Sequence, residues 1–200
     1  MFICNRMNVQ LEDNTGKRVA VLNSTLALIK EHGFHGAPMS LIAKHAGVAA
    51  GTIYHYFDSK ETLILELYVH VKDKLALAIS AGDDPEKPYK DRFFNFMINQ
   101  FNFYVENENS LFFLEQYMSS PFAKNFPERD SQLFADKVIT LFQYGIENAH
   151  FRNIDSRLLA PTIKGTLVAA ATFQLSEQIV FSKEDILEVV SIIWDGIKRQ

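Results

Sequence analysis

Two hundred residues bound the chain to one or two small domains, and a hydrophobic share of 48% supplies enough apolar side chains for a buried core, which excludes a disordered chain. A single cysteine, Cys4, excludes an intrachain disulfide and a thiolate metal cluster. The net charge of −4 excludes a surface that coats nucleic acid all round, yet it is unevenly spread: residues 17–60 hold Lys17, Arg18, Lys30, Lys44 and Lys60 against Glu31 and Asp58, whereas residues 82–200 are acidic.

Met1 to Val9 carries Cys4, Asn5, Arg6 and Asn8 without a long apolar core, so it is a poor signal peptide. Met7 is an alternative start that would remove Cys4, and a thiol in a fraying terminus reads as inert before it reads as a redox sensor. The first helix is expected from about Asp13 to His32, with Val19, Leu22, Leu26 and Ile29 as its apolar stripe and Gly33 as its stop. A second is expected over about 39–46, where Met39, Ile42, Ala43 and Ala46 fall at i, i+3, i+4 and i+7. Gly47 follows, where a chain leaving a helix often needs φ > 0.

A third helix over about 50–57 lets Val48, Ile53 and Phe57 fold back onto the second. Two short helices around such a turn form a helix-turn-helix, which lays its second helix in the DNA major groove. An ordinary surface helix would show Lys, Glu and Gln. This one shows Gly51, Thr52, Tyr54, His55 and Tyr56, then Lys60: small residues for close approach, and donors for phosphates and bases. Ser59 is a good N-cap, with Thr62 at N3, for a fourth helix to about Ser80 through Leu63, Leu67, Val71, Leu75 and Ala78.

The ungapped run Ile42-Ala43, Ala46-Gly47-Val48, Gly51-Thr52-Ile53-Tyr54-His55-Tyr56-Phe57 and Ser59-Lys60-Glu61-Thr62-Leu63 resembles the signature of TetR/AcrR-type transcriptional regulators. The resemblance implies an all-α fold, with a three-helix DNA-binding domain over 14–76 (motif about 39–58) and a helical effector-binding and dimerisation domain over 82–200. By position in that signature, Ser40, Ala50, Gly51, Thr52 and His55 fall where members touch base edges or their neighbours, and Tyr54, Tyr56 and Lys60 where members hold phosphates. The chain departs from the pattern at Pro38, where many relatives cap the helix with Ser or Thr, and at Ala49 and Ala50, often polar elsewhere. Ala50 can read a base only through an apolar contact such as a thymine methyl, which leaves His55 and Thr52 as the polar readers.

Residues 81–88, Ala-Gly-Asp-Asp-Pro-Glu-Lys-Pro, make the strongest break. Beyond it, helices are expected at about Tyr89–Glu106, Ser110–Met118, Pro127–Ala149, Ser156–Phe181 and Lys183–Arg199, with Pro161 starting or kinking the fourth. No apolar run there is expected to span a membrane; the longest, Leu167 to Leu175, contains Thr172 and Gln174, and a cytoplasmic protein is the default.

Fourteen of the seventeen phenylalanines lie after residue 82, more rings than a small helical core packs without gaps. Phe96, Phe103, Tyr104, Phe113, Tyr117, Phe134, Phe142 and Phe173 are the candidate lining of an effector pocket, set against the plainer reading of an aromatic core. Glu106, Glu108 and Glu115 near the rings would suit a lipophilic cation, and an uncharged lipophile fits as well. Gly165 and Ala169 make one helix thin, and Ile186, Val190, Ile193, Trp194 and Ile197 make the last helix more apolar than one side needs, which suits a four-helix dimer interface.

Apart from His70 with Asp73, a common surface pattern, no histidine has metal-ligand spacing, and there is no phosphate loop, nucleophile elbow or carboxylate pair placed for acid–base work, so neither enzyme, metal site nor cofactor is expected. The reading is therefore a homodimeric repressor released from a palindromic operator by a small lipophilic or aromatic effector. The alternative is an architectural DNA-binding protein of the same fold whose C-terminal domain binds a protein partner.

Overall fold

Ten helices make up this computed structural model among the described residues: α1 (Phe2–Gly36), α2 (Met39–His45), α3 (Ala50–Tyr56), α4 (Lys60–Ile79), α5 (Tyr89–Glu106), α6 (Glu108–Met118), α7 (Pro121–Asn125), α8 (Gln132–Glu147), α9 (Ser156–Ser176) and α10 (Lys183–Ile197). The structure describes the backbone of residues 2–125, 131–177 and 179–200, and within these the side chains from Gly16 onward except those of residues 125 and 156. Cys4 and Met7 therefore lie outside the described side chains. Among the described residues, Phe151 and Lys198 form an isolated antiparallel bridge.

The helices form two compact units, Met1–Val69 with Phe112–Arg129, and His70–Leu111 with Asp130–Gln200. The packing thus divides the chain differently from the expected 14–76 and 82–200: helices α6, from residue 112 on, and α7 cluster with the N-terminal helices.

In the first unit the expected stripe of α1 buries Leu22, Leu26 and Ile29, with Val21 beside them. At Gly33 the backbone takes φ 68°, ψ 178°, a region open essentially to glycine alone, and α1 breaks there. Ile42 and Ala43 of α2, Ile53 of α3, Phe57, and Leu63, Ile64 and Leu67 of α4 complete this core. Tyr117 of α6 stacks on Tyr68 with ring centroids 4.1 Å apart, and Phe113 packs 5.9 Å from Tyr117.

In the second unit α5 packs against α9 and α10. Helix α5 spans the expected Tyr89–Glu106. Its first turn is tied to the preceding turn by Arg92, whose guanidinium makes two bonds to Asp83 at 2.8 and 2.9 Å, while Asn95 and Asn99 donate to the Ala81 carbonyl. Several helices after residue 107 depart from expectation. Helix α7 was not foreseen, α8 begins at Gln132 behind its N-cap Ser131, and α9 ends at Ser176 rather than Phe181. Beyond the end of α9, the Phe181 N–H donates to the Gln174 side chain, and Ser182 and Asp185 form a capping box that starts α10.

The stretch Arg157–Ser176 of α9 is, by length and composition, apolar enough to cross a membrane, which corrects the expectation that no run reaches that length. The apolarity has a local cause: Leu159, Ile163, Leu167 and Ala171 pack into the unit's core.

Candidate nucleic-acid interface

The turn between α2 and α3 follows directly from Gly47. Ala46 closes α2, Gly47 sits at φ 68°, its N–H donates to the Lys44 carbonyl at 3.2 Å, and the Val48 N–H reaches back to Ala43 at 3.0 Å. That pair of bonds is a Schellman motif, and glycine satisfies it without a Cβ penalty. Pro38 supplies no side-chain cap to α2; its carbonyl instead accepts from the Leu41 and Ile42 N–H groups. Ala49 likewise gives α3 no side-chain cap.

With Ile53 and Phe57 wholly buried, the opposite side of α3 faces out. Ala50, Gly51 and His55 are exposed, Tyr54 is 55% exposed, and Thr52 and Tyr56 are half-buried. Ser40 of α2 is exposed as well. A Cβ built on Gly51 would meet nothing within 4 Å, so the protein itself does not require glycine there. His55 stands edge-on to Tyr56 at 5.6 Å. The eight expected DNA-contacting residues thus lie on α2, α3 and the start of α4 within one unit.

Lys60 opens α4, which Ser59 caps through the Thr62 N–H at 3.1 Å. Its ammonium donates to the Phe34 carbonyl, and burial pushes the Lys60 amine below the usual lysine range while Glu61 works against the shift. Arg18, unremarked as a site in the sequence, lies 5.4 Å over the Phe57 ring and pairs with Glu66. It links α1 to α4 behind the exposed face of α3.

The eight expected pocket residues are not gathered into one place. Phe113 and Tyr117 belong to the first unit. Phe96, Phe103 and Tyr104 are buried along α5, where the Gln100 amide donates to the Tyr104 hydroxyl at 2.8 Å. Phe134 lies 3.4 Å beneath the Lys72 ammonium, Phe142 meets Phe93 edge-on at 6.4 Å, and Phe173 is 49% exposed. The densest ring cluster is elsewhere: Trp194 packs 5.2 Å from Phe93 and 6.3 Å from Phe151, with Tyr89 stacked on His150.

That cluster also corrects the reading of α10. Val190, Ile193, Trp194 and Ile197 are buried in the unit's own core and Ile186 is half-buried, while Ile192 remains exposed. Gly165 and Ala169 of α9 are exposed.

Comparison with known proteins covers both units. Residues 21–67 match the model described as bacterial regulatory proteins, tetR family, and residues 88–198 match a tetracyclin repressor-like C-terminal domain. An HTH-type transcriptional regulator of Haemophilus influenzae is 35% identical over 102 residues, which are 50% of this chain and 54% of that protein, so the match spans about half the relative's length. A TetR-family transcriptional regulator of Vibrio parahaemolyticus superposes with a TM-score of 0.77 at 29% identity, over 92% of this chain and 100% of the other. The regulator FadR of Bacillus subtilis, in complex with stearoyl-CoA, shares the fold at a TM-score of 0.70 and 19% identity, over 88% and 95% of the two chains.

Proposed function

This chain belongs to the tetR family of bacterial regulatory proteins, and we propose that it is a dimeric cytoplasmic repressor that leaves a palindromic operator when a small lipophilic or aromatic effector binds. The observation that carries the DNA half is the outward face of α3, where Gly51 has no neighbour and Tyr54 and His55 are held clear of the core by buried Ile53 and Phe57. Tyr54, Tyr56 and Lys60 grip phosphates; Thr52 and His55 read bases, with Ser40, Ala50 and Gly51 in close approach. Two such faces read half-sites about 34–36 Å apart, or a multiple of that.

Dimerisation is assigned to the side of α9 that the core leaves uncovered, Leu158, Gly165, Ala169 and Phe173, with Ile192 of α10, which is 66% exposed. Nothing lies within 4 Å of a Cβ built on Gly165, so a second helix has room to approach. The effector belongs to the second unit, in keeping with the acyl ligand held by the Bacillus fold relative. Release follows from coupling: the effector favours a state with wrongly set DNA faces, and DNA weakens effector binding by the same factor. Helix α4, which carries residues of both units, is the lever.

Selection of bound sites from random DNA, followed by mobility-shift titration with and without candidate effectors, tests the proposal. Failure to enrich any palindrome would sink it. The rings closed around Trp194 favour the second reading, an architectural protein whose second unit binds a protein; operator binding that no small molecule releases would select it.

A further inference from the structure

A cleft of about 300 Å³ lies within the second unit, and two arginines from separate parts of the chain, Arg152 and Arg199, share it with Asn153. Ile146, Phe151 and Ile154 give it an apolar side. The backbone brings the arginines together. Where α8 ends, Ala149 takes φ 53°, a left-handed conformation uncommon for a residue with a Cβ, and the chain then runs beside the end of α10. Around the bridge between Phe151 and Lys198, the Arg152 N–H donates to the Ile197 carbonyl at 2.9 Å and the Arg199 N–H to the His150 carbonyl at 2.9 Å. Arg152 and Arg199 are thus diagonal neighbours across the pairing, a relation that sets residues about 7–8 Å apart in a regular ladder and within reach of long side chains. None of the residues expected to line the effector pocket borders this cleft.

Two guanidinium groups placed side by side repel each other. Among the described residues, neither of these two has a hydrogen-bond or ion-pair partner. The acids nearby in sequence are engaged elsewhere. Asp155 takes the Arg157 guanidinium at 2.6 and 3.0 Å, and Asp195 takes the Lys198 ammonium at 2.7 Å. Glu147 accepts from the Gln143 amide at 2.7 Å and does not border the cleft, nor does Gln200 after Arg199. His150 is stacked on Tyr89, with ring centroids 4.4 Å apart. The cleft therefore presents two permanent positive charges, each carrying a planar fork of donors. A phosphate dianion has the charge to match both and acceptor oxygens for both forks.

We propose that this cleft binds a phosphate dianion, free or as the monoester end of a small organic molecule, with the Arg152 and Arg199 forks on its oxygens and the Asn153 amide as a further donor. The apolar side formed by Ile146, Phe151 and Ile154 receives the ester group of an organic guest. The site goes beyond the operator-binding reading, and its test contains no DNA, so either can fail without the other.

Calorimetric titration of the full chain with inorganic phosphate and with phenyl phosphate tests it. Tris chloride at constant ionic strength and about pH 8 keeps both probes dianionic. At least one probe should bind with a dissociation constant of about 1 mM or tighter. Both arginines are exposed, so their substitution leaves the core intact. Arg152→Gln and Arg199→Gln should each weaken binding about tenfold or more. Lys183→Gln, at an exposed side chain at the opposite end of α10, also removes one positive charge and should change affinity by less than about twofold. Tighter binding of phenyl phosphate than of inorganic phosphate would assign the guest as a monoester seated on the apolar side; equal or weaker binding would assign it as the free anion. Binding of neither probe would overturn the proposal. So would an affinity insensitive to Arg152→Gln and Arg199→Gln, or one weakened as much by Lys183→Gln.

Discussion

The Lys60 ammonium donates to the carbonyl of Phe34, a carbonyl that no helical amide can satisfy. Gly33 breaks α1 just before it, and the residue four positions on, where a helix would supply the N–H, is Pro38. Lys60 therefore completes the end of α1, and under the proposed function its remaining donors grip a DNA phosphate.

Lys60→Ala should separate these tasks by readout. DNA affinity should fall for all sequences alike, and the slope of log affinity against log salt should flatten by about 0.9, as expected for one lost phosphate contact. Unfolding free energy should drop by about 1 kcal/mol, a figure discounted because the side chain is only partly buried. Mobility shifts across a salt series and urea melts measure the two effects. An unchanged salt slope would remove Lys60 from the DNA face.

His55→Ala should act on sequence preference instead. A side chain that reads a base edge contributes about 1–3 kcal/mol of discrimination at one position and little elsewhere. Site selection with the variant should show one relaxed position in each half-site. A uniform loss over all sequences would reassign His55 to the backbone.

Gly145 of α8 is glycine for a reason that lies on another helix. Tyr89 crosses it to donate to the Leu141 carbonyl at 3.1 Å, and a Cβ on Gly145 would overlap the Tyr89 hydroxyl and lie 2.5 Å from the Phe151 ring. Burial also holds the Tyr89 phenol well above its usual range, so it stays a donor. Gly145→Ala should cost about 1–3 kcal/mol of stability through overpacking, despite the better helix propensity of alanine. Thermal melts of the two proteins measure it.

The parts of this fold legible in the sequence are those fixed by local chemistry. Gly33 and Gly47 stop helices because each needs a positive φ, and Ser59 caps α4 because its hydroxyl reaches the Thr62 amide. What stayed hidden depends on neighbours distant in sequence. Periodicity reports that α10 has an apolar face; it does not report that Phe93 and Phe151 would pack on Trp194 within the protomer. Nor does it show that Phe113 and Tyr117 would pack with Phe34 and Tyr68 within the first unit. The ring count was readable and the grouping was not, because a pocket lining is a property of packing.

Asp83 gives the pH dependence its sign. The hydrogen bonds from Arg92 hold its carboxyl below the ordinary aspartate range. A depressed folded pKa means that the pair contributes its full stability above the unfolded pKa and loses it as pH falls through the folded one. Asp83→Asn should therefore cost about 0.5–1 kcal/mol near neutral pH, small because the pair is partly exposed. The difference from the natural protein should shrink as pH falls through the depressed folded pKa. A difference independent of pH would show that Asp83 acts as a turn residue alone.

Gly165→Leu tests the dimer face against the protomer core. The position is exposed, and a Cβ there meets nothing within 4 Å, so the protomer accommodates the new side chain and gains helix propensity. If a partner helix packs on this face, the leucine stands where its backbone must come, and such overpacking weakens an interface by at least tenfold in dissociation constant. Sedimentation should show a shift from dimer to monomer while the circular dichroism of the helices is retained. Val190→Ala should do the reverse: it empties a wholly buried site, lowers the melting temperature and changes the dimer only as far as the protomer itself unfolds. The opposite pattern, a stable dimer in Gly165→Leu and a folded monomer in Val190→Ala, would return the interface to α10.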